Sequence, residues 1–146
     1  MSPKYFVIGF FGLGIAVVVS KAFMPSPQDM HSVQATSGVQ GAPLTVVKVP
    51  KLSSAAEVGK SVFEANCSAC HGENAAGQEG VAPPLVHIIY EPNHHADIAF
   101  FRAIKNGVRS HHWRFGNMPQ VKGVDDEEAA KIVTYVRELQ RANGIQ

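Results

Sequence analysis

Both cysteines of this 146-residue chain fall within five consecutive positions, Cys67-Ser68-Ala69-Cys70-His71. No other feature limits the fold so strongly. Two cysteines this close cannot staple distant parts of a domain together, so a disulfide framework is excluded. Residues 53–146 must find their stability elsewhere, and their apolar pattern is modest. Ser54 followed by Glu57 fits a capping box, and Val58, Val62 and Phe63 continue it as the apolar stripe of a helix ending near Ala65. A second helix is expected from Asp97 to Asn106, with Ile98, Phe101 and Ile104 inward and Gly107 as its stop. A third is expected from Asp125. Asp126, Glu127 and Glu128 suit its first turn, where the helix dipole favours negative charge, and Arg137 and Arg141 sit near its end before Gly144. Ile132, Val136 and Leu139, with Tyr135 beside them, form its buried face. No segment alternates as a strand would. The reading is an all-α domain of about three main helices on long loops rich in Gly and Pro. So small a set of helices is marginal unless something fills the centre.

The cysteine pair announces the filler. Two thiols three positions apart on one helical turn can each add to a vinyl group of a haem, and the next residue, His71, then presents an imidazole nitrogen to the iron. Three other readings of the spacing are weaker. A redox dithiol expects a βαβ setting, which the sequence lacks. A zinc site needs two more ligands at suitable spacing, and no second cysteine pair exists. A plain disulfide would make His71 accidental. The cofactor expected is one covalently bound haem c with its iron.

With these residues in view, positions 54 to about 142 resemble the monohaem class I c-type cytochromes. The resemblance rests on Gly59 and Phe63 in the first helix, CSACH directly after it, Pro83-Pro84-Leu85, a late Met118-Pro119, and a last helix bearing Ile132 and Tyr135. It implies that the first and last helices cross closely where Gly59 meets Tyr135. It also implies a proline carbonyl that accepts the other ring N–H of the histidine ligand; Pro83 is the choice and Pro84 the runner-up. Such a bond fixes the tautomer and raises the ligand's basicity.

The second axial position has several candidates: Met118, His87, His94, His95, His111 and His112. Met118 lies in a turn-rich Gly116-Asn117-Met118-Pro119 loop, is the one methionine of residues 53–146, and occupies the place the resemblance gives to the ligand. A thioether is soft and neutral, favours ferrous iron and raises the reduction potential relative to two histidines. Core filling is the ordinary role of a methionine, but Met118 has no helical stripe around it. Trp113 and Arg114 are candidate donors to the anionic propionates of a haem. The metal ligands expected are therefore His71 and Met118. Cys67, Cys70, Pro83, Trp113 and Arg114 complete the cofactor site.

The N-terminal third reads differently. Charged residues make up 17% of the chain, below the ~25% usual in soluble domains, which hints that part of it leaves water. From Tyr5 to Met24 only Lys21 is charged. If Lys21 snorkels, the run has the ~20 residues needed to cross a hydrocarbon core. Residues 1–24 are read as a membrane anchor in contact with lipid through residues 5–24, ahead of a cleaved signal peptide. Residues 25–52, with four prolines, read as an extended linker, and residues 53–146 as the haem domain. Only this one run is apolar enough to span, so a polytopic membrane protein is excluded. A formal net charge of +1 gives no reason to expect nucleic acid.

Together these readings describe a one-electron carrier, not an enzyme, with no small-molecule substrate. It would be tethered to the bacterial inner membrane with its haem domain on the periplasmic side, and would exchange electrons with respiratory or photosynthetic membrane complexes. Two rivals differ in kind: a fixed cytochrome c subunit of a larger membrane oxidoreductase, and a haem enzyme or gas sensor with an open sixth site.

Overall fold

The computed structural model describes residues 39–146; the anchor segment and residues 25–38 of the expected linker lie outside them. The helices are α1 (Ser54–Asn66), the single turn α2 (Ser68–His71), α3 (Asp97–Asn106) and α4 (Asp126–Ala142). Two 3₁₀ turns, Glu73–Ala75 and Ile88–Tyr90, punctuate the loops. Among the described residues there are no strands, only isolated bridges pairing Gln78 with Ala82 and Val108 with Met118. No helix among them is long and apolar enough to cross a membrane.

The α1–α4 crossing organises the rest. Gly59 lies so close to α4 that a Cβ there would fall 1.9 Å from the Lys131 carbonyl oxygen and 3.1 Å from Tyr135 Cβ. Glycine is therefore required by the contact itself. Phe63 and Tyr135, both fully buried, pack with ring centroids 5.6 Å apart. Ile132, Val136 and Leu139 extend the same core from α4, and Ile104 joins it from α3.

The caps differ between the two helices. Asp125 caps α4 in a reciprocal box with Glu128, so the helix begins one residue after the expected start. At α1 the cap is Ser53, not Ser54: its Oγ accepts from Ala56 N. No carboxylate stands three residues on to complete the box. Glu138 supplies it from α4, accepting from Ser53 N at 3.0 Å and from Ser53 Oγ at 2.6 Å. The sequence pattern pointed to a local partner; the partner is tertiary.

Two residues expected inside are exposed, Val58 (47%) and Ile98 (55%). At 100° per residue, positions spaced by three drift about 60° per step. Ile98 and Ile104 thus stand a third of a turn apart, and only the Ile104 side is covered. On α1 the buried line is Ala56, Gly59 and Phe63, which leaves Val58 off the contact.

Residues 39–52, assigned by sequence to the extended linker, lie along the domain. Leu44 N and Thr45 N donate to Ala76 O, Gly41 N donates to Glu79 O, and Lys48 exchanges two hydrogen bonds with the Asn143 side chain. Val47 and Leu52 pack on the core. Residues 39–52 accordingly belong to the same compact unit as the helices. Composition marks this segment as irregular, but it does not reveal that an irregular segment has found a surface.

Candidate functional site

The CSACH segment forms α2 immediately after α1, with Cys67 N and His71 N tied to Phe63 O and Cys67 O respectively. This turn places Cys67, Cys70 and His71 along one wall of a cavity of about 430 Å³. That volume lies in the range of sites for large organic ligands. Phe63, Ile104, Ile132 and Leu85 contribute apolar walls, and Met118 comes from the far loop.

His71 is buried. Its Nδ1 donates to Pro83 O at 2.9 Å; because a carbonyl can only accept, Nδ1 carries the proton and Nε2 keeps its lone pair. Burial lowers the His71 pKa, and the Pro83 bond partly opposes that shift. The imidazole is thus neutral, as a metal ligand must be. Pro83 reaches His71 because Gly77, at φ +73°, gives the chain room: a Cβ there would sit 2.4 Å from Pro84 N. Gly77 N in turn donates to His71 O at 2.7 Å.

Cys67 is half-buried and Cys70 exposed, both as free thiols. Burial, then Cys70, pushes the Cys67 thiol up to about 11. A redox dithiol needs a lowered thiol pKa, so this environment argues against that reading of the pair.

Met118 is held by reciprocal backbone bonds with Val108, each 2.9 Å, just after α3 ends at Gly107. Its side chain is half-buried at the cavity. Trp113 lines the cavity as well, stacked on Phe115 with centroids 5.8 Å apart. Burial raises the Tyr90 hydroxyl above its ordinary value, and the neighbouring Trp113 indole opposes the rise. The two groups approach without hydrogen-bond geometry, so Trp113 Nε1 is buried with no partner. An orphaned buried N–H is costly, and an anionic group inside the cavity would relieve it. The cavity, the free Nε2 of His71 and this orphaned donor all fit a haem with its propionates.

Arg114 departs from expectation. It is exposed and lies outside the cavity wall. Trp113 and Phe115 on either side of it line the cavity, while the bend at Arg114 turns its side chain to solvent.

Arg137 is the residue that sequence reasoning undervalued. Read as a polar last-turn residue, it is 6% exposed. It donates to Asp97 Oδ1 at 2.8 Å, Tyr90 O at 2.7 Å, Gln140 Oε1 at 2.6 Å and to His95 O. Gln140 adds bonds to Leu85 O and Tyr90 O. Together they pin the irregular 85–97 segment to α4. The only sequence signal was spacing: Arg137 follows Tyr135 and Val136 on the inner side of the helix.

The family model for cytochrome c matches residues 56–140. A relative from Azospirillum brasilense, the Cbb3-type cytochrome c oxidase subunit CcoP, is 38% identical over 95 residues, covering 60% of this chain and 29% of its own length. The chain therefore spans less than a third of that relative.

Proposed function

We propose that this chain, which belongs to the cytochrome c family, passes single electrons between membrane redox complexes. The family carries covalently bound haem c, which supplies one-electron chemistry at its iron. In our reading Cys67 and Cys70 would hold the haem through thioether links, and His71 Nε2 and Met118 Sδ would be the chain's donors to its iron. Pro83 O holds the His71 tautomer, and Trp113 Nε1 would be a donor for a propionate. With both iron donors supplied by the chain, we read it as a carrier and not an enzyme. The buried, already oriented His71 is the single observation that carries this assignment.

We place the carrier at the bacterial inner membrane, with residues 5–24 in lipid and the haem domain in the periplasm. The apolar run and the need to attach haem outside the cytoplasm support this. Residues 53–146 hold nine Lys/Arg and eleven Asp/Glu, a balance in which no strongly basic docking face is evident.

The similarity to an oxidase subunit favours a second reading, a fixed cytochrome c subunit of a larger oxidoreductase. Solubilising native membranes with mild detergent separates the two. A carrier migrates near its own mass and is reduced and reoxidised by membranes to which it is added back. A fixed subunit migrates with an oxidase in constant ratio.

A further inference from the structure

Four histidines that the haem assignment does not use come together, and three of them, His95, His111 and His112, line the cavity. His94 and His95 precede α3, and His111 and His112 lie in the loop between α3 and Met118. Ring centroids are 4.7 Å apart for His94 and His95, 4.3 Å for His111 and His112, and 5.2 Å between His94 and His112. The ligand atoms of His94, His95 and His112 all lie within 4.8 Å of one another.

Geometry distinguishes this cluster from a chance stack. His94 Nε2 and His112 Nε2 are 3.3 Å apart, a spacing that one ring can bridge by donating a hydrogen bond to the other and that a shared ion fits equally well. Two imidazole nitrogens each about 2.0–2.1 Å from a tetrahedral ion stand about 3.3–3.4 Å apart. His95 is already oriented: Nδ1 donates to Ile89 O at 2.7 Å, so Nε2 keeps its lone pair. His111 is held in the same way, with Nδ1 donating to Arg109 O at 2.9 Å. A backbone carbonyl on the far ring nitrogen is how metal-binding imidazoles are commonly aimed. Arg137 also grips the His95 carbonyl, which fixes that segment on α4. His94 and His112 are exposed, so an ion has open access.

We propose that His94, His95 and His112 bind one imidazole-preferring divalent ion of the Zn²⁺, Cu²⁺ or Ni²⁺ kind beside the haem cavity. His111 or water completes the coordination. The cluster contains no carboxylate, so Mg²⁺, Ca²⁺ and Mn²⁺, which prefer oxygen ligands, are not its ions.

The test uses the full-length, haem-loaded protein after chelator treatment. Equilibrium dialysis with metal analysis should find one Zn²⁺ per chain and no retained Mg²⁺. The H94A/H112A variant should bind Zn²⁺ at least tenfold more weakly. Its metal-free haem spectrum should match the wild type, which also shows that the variant has folded. Equal Zn²⁺ affinity in both proteins overturns the proposal. A changed haem spectrum in the metal-free variant overturns it too, since a cluster histidine would then be on the iron. Cu²⁺ added to the wild type gives an independent measurement: electron paramagnetic resonance should show couplings from imidazole nitrogens, and their absence overturns the proposal without any variant.

Discussion

At His71 one backbone carbonyl decides which nitrogen is available. With Nδ1 committed to Pro83 O, Nε2 is the nitrogen of this ring left with a lone pair to give. Met118 has no comparable hold on its side chain, only on its backbone, so its role is the more open to test. Met118→Ala should leave haem attached through Cys67 and Cys70. It should admit water or added ligand at the iron and lower the reduction potential, because a weak thioether that favours ferrous iron is lost. Spectroscopy and redox titration check this. An unchanged spectrum and potential would remove Met118 as the ligand. Cys67→Ala with Cys70→Ala should abolish covalent haem and leave residues 53–146 largely unfolded by circular dichroism. A stably folded, haem-free double variant would contradict that dependence. The motif residues were legible because their spacing carries their chemistry. The exposure of Arg114 was not legible because a side chain's direction in an irregular loop depends on its neighbours. Arg137 was undervalued because its partners, the carbonyls of Tyr90 and His95, come from a segment 40 residues away.

The elements depend on contacts that a helical pattern foreshadows but does not contain. The Gly59–Tyr135 approach could be anticipated from the family resemblance, whereas Ser53 as a cap completed by Glu138 could not, since the box is split between two helices. Gly59→Val should destabilise the holoprotein by about 3 kcal/mol or more in denaturant unfolding, because its Cβ meets backbone and nothing flexible can yield. Wild-type stability would mean that the helices separate freely. The Ser53 hydroxyl holds the Glu138 carboxyl below its ordinary range; burial opposes this, and the Ser53 amide and the Arg141 charge add to the lowering. A lowered folded-state pKa contributes stability that is fully present above the unfolded value, about 4.3 for Glu, and lost as pH falls through the folded one. Glu138→Gln should therefore lower stability at neutral pH by up to about 1 kcal/mol and flatten the decline on acidification. Parallel pH profiles for the two proteins would show that the pair contributes nothing.

For the molecule as a whole, the docking of residues 39–52 changes the geometry of tethering. With this segment tied to Ala76, Glu79 and Asn143, the sequence between the expected anchor and the described residues is 25–38. As a property of coils in general, halving the length of a tether from 28 to 14 residues lowers the root-mean-square reach from about 30 Å to about 20 Å. Composition alone set the longer figure, since backbone bonds to a distant surface leave no mark on local sequence. Under the proposed anchoring, a shorter reach would confine the haem domain to partners embedded in the same membrane and raise its effective concentration near them. Such tethering requires that the apolar run from Tyr5 to Met24 be retained. A run longer than the ~7–15 residues of a signal h-region, with Lys21 inside its one candidate cleavage site, leads us to expect retention. Mass spectrometry of the native protein should find the N-terminal segment present, and carbonate washing should leave the protein in the membrane pellet. A mature N-terminus at Phe23 with release into the soluble fraction would remove the anchor and make the domain a freely diffusing periplasmic carrier. The haem assignment would be unaffected, because it rests on residues that lie after position 53.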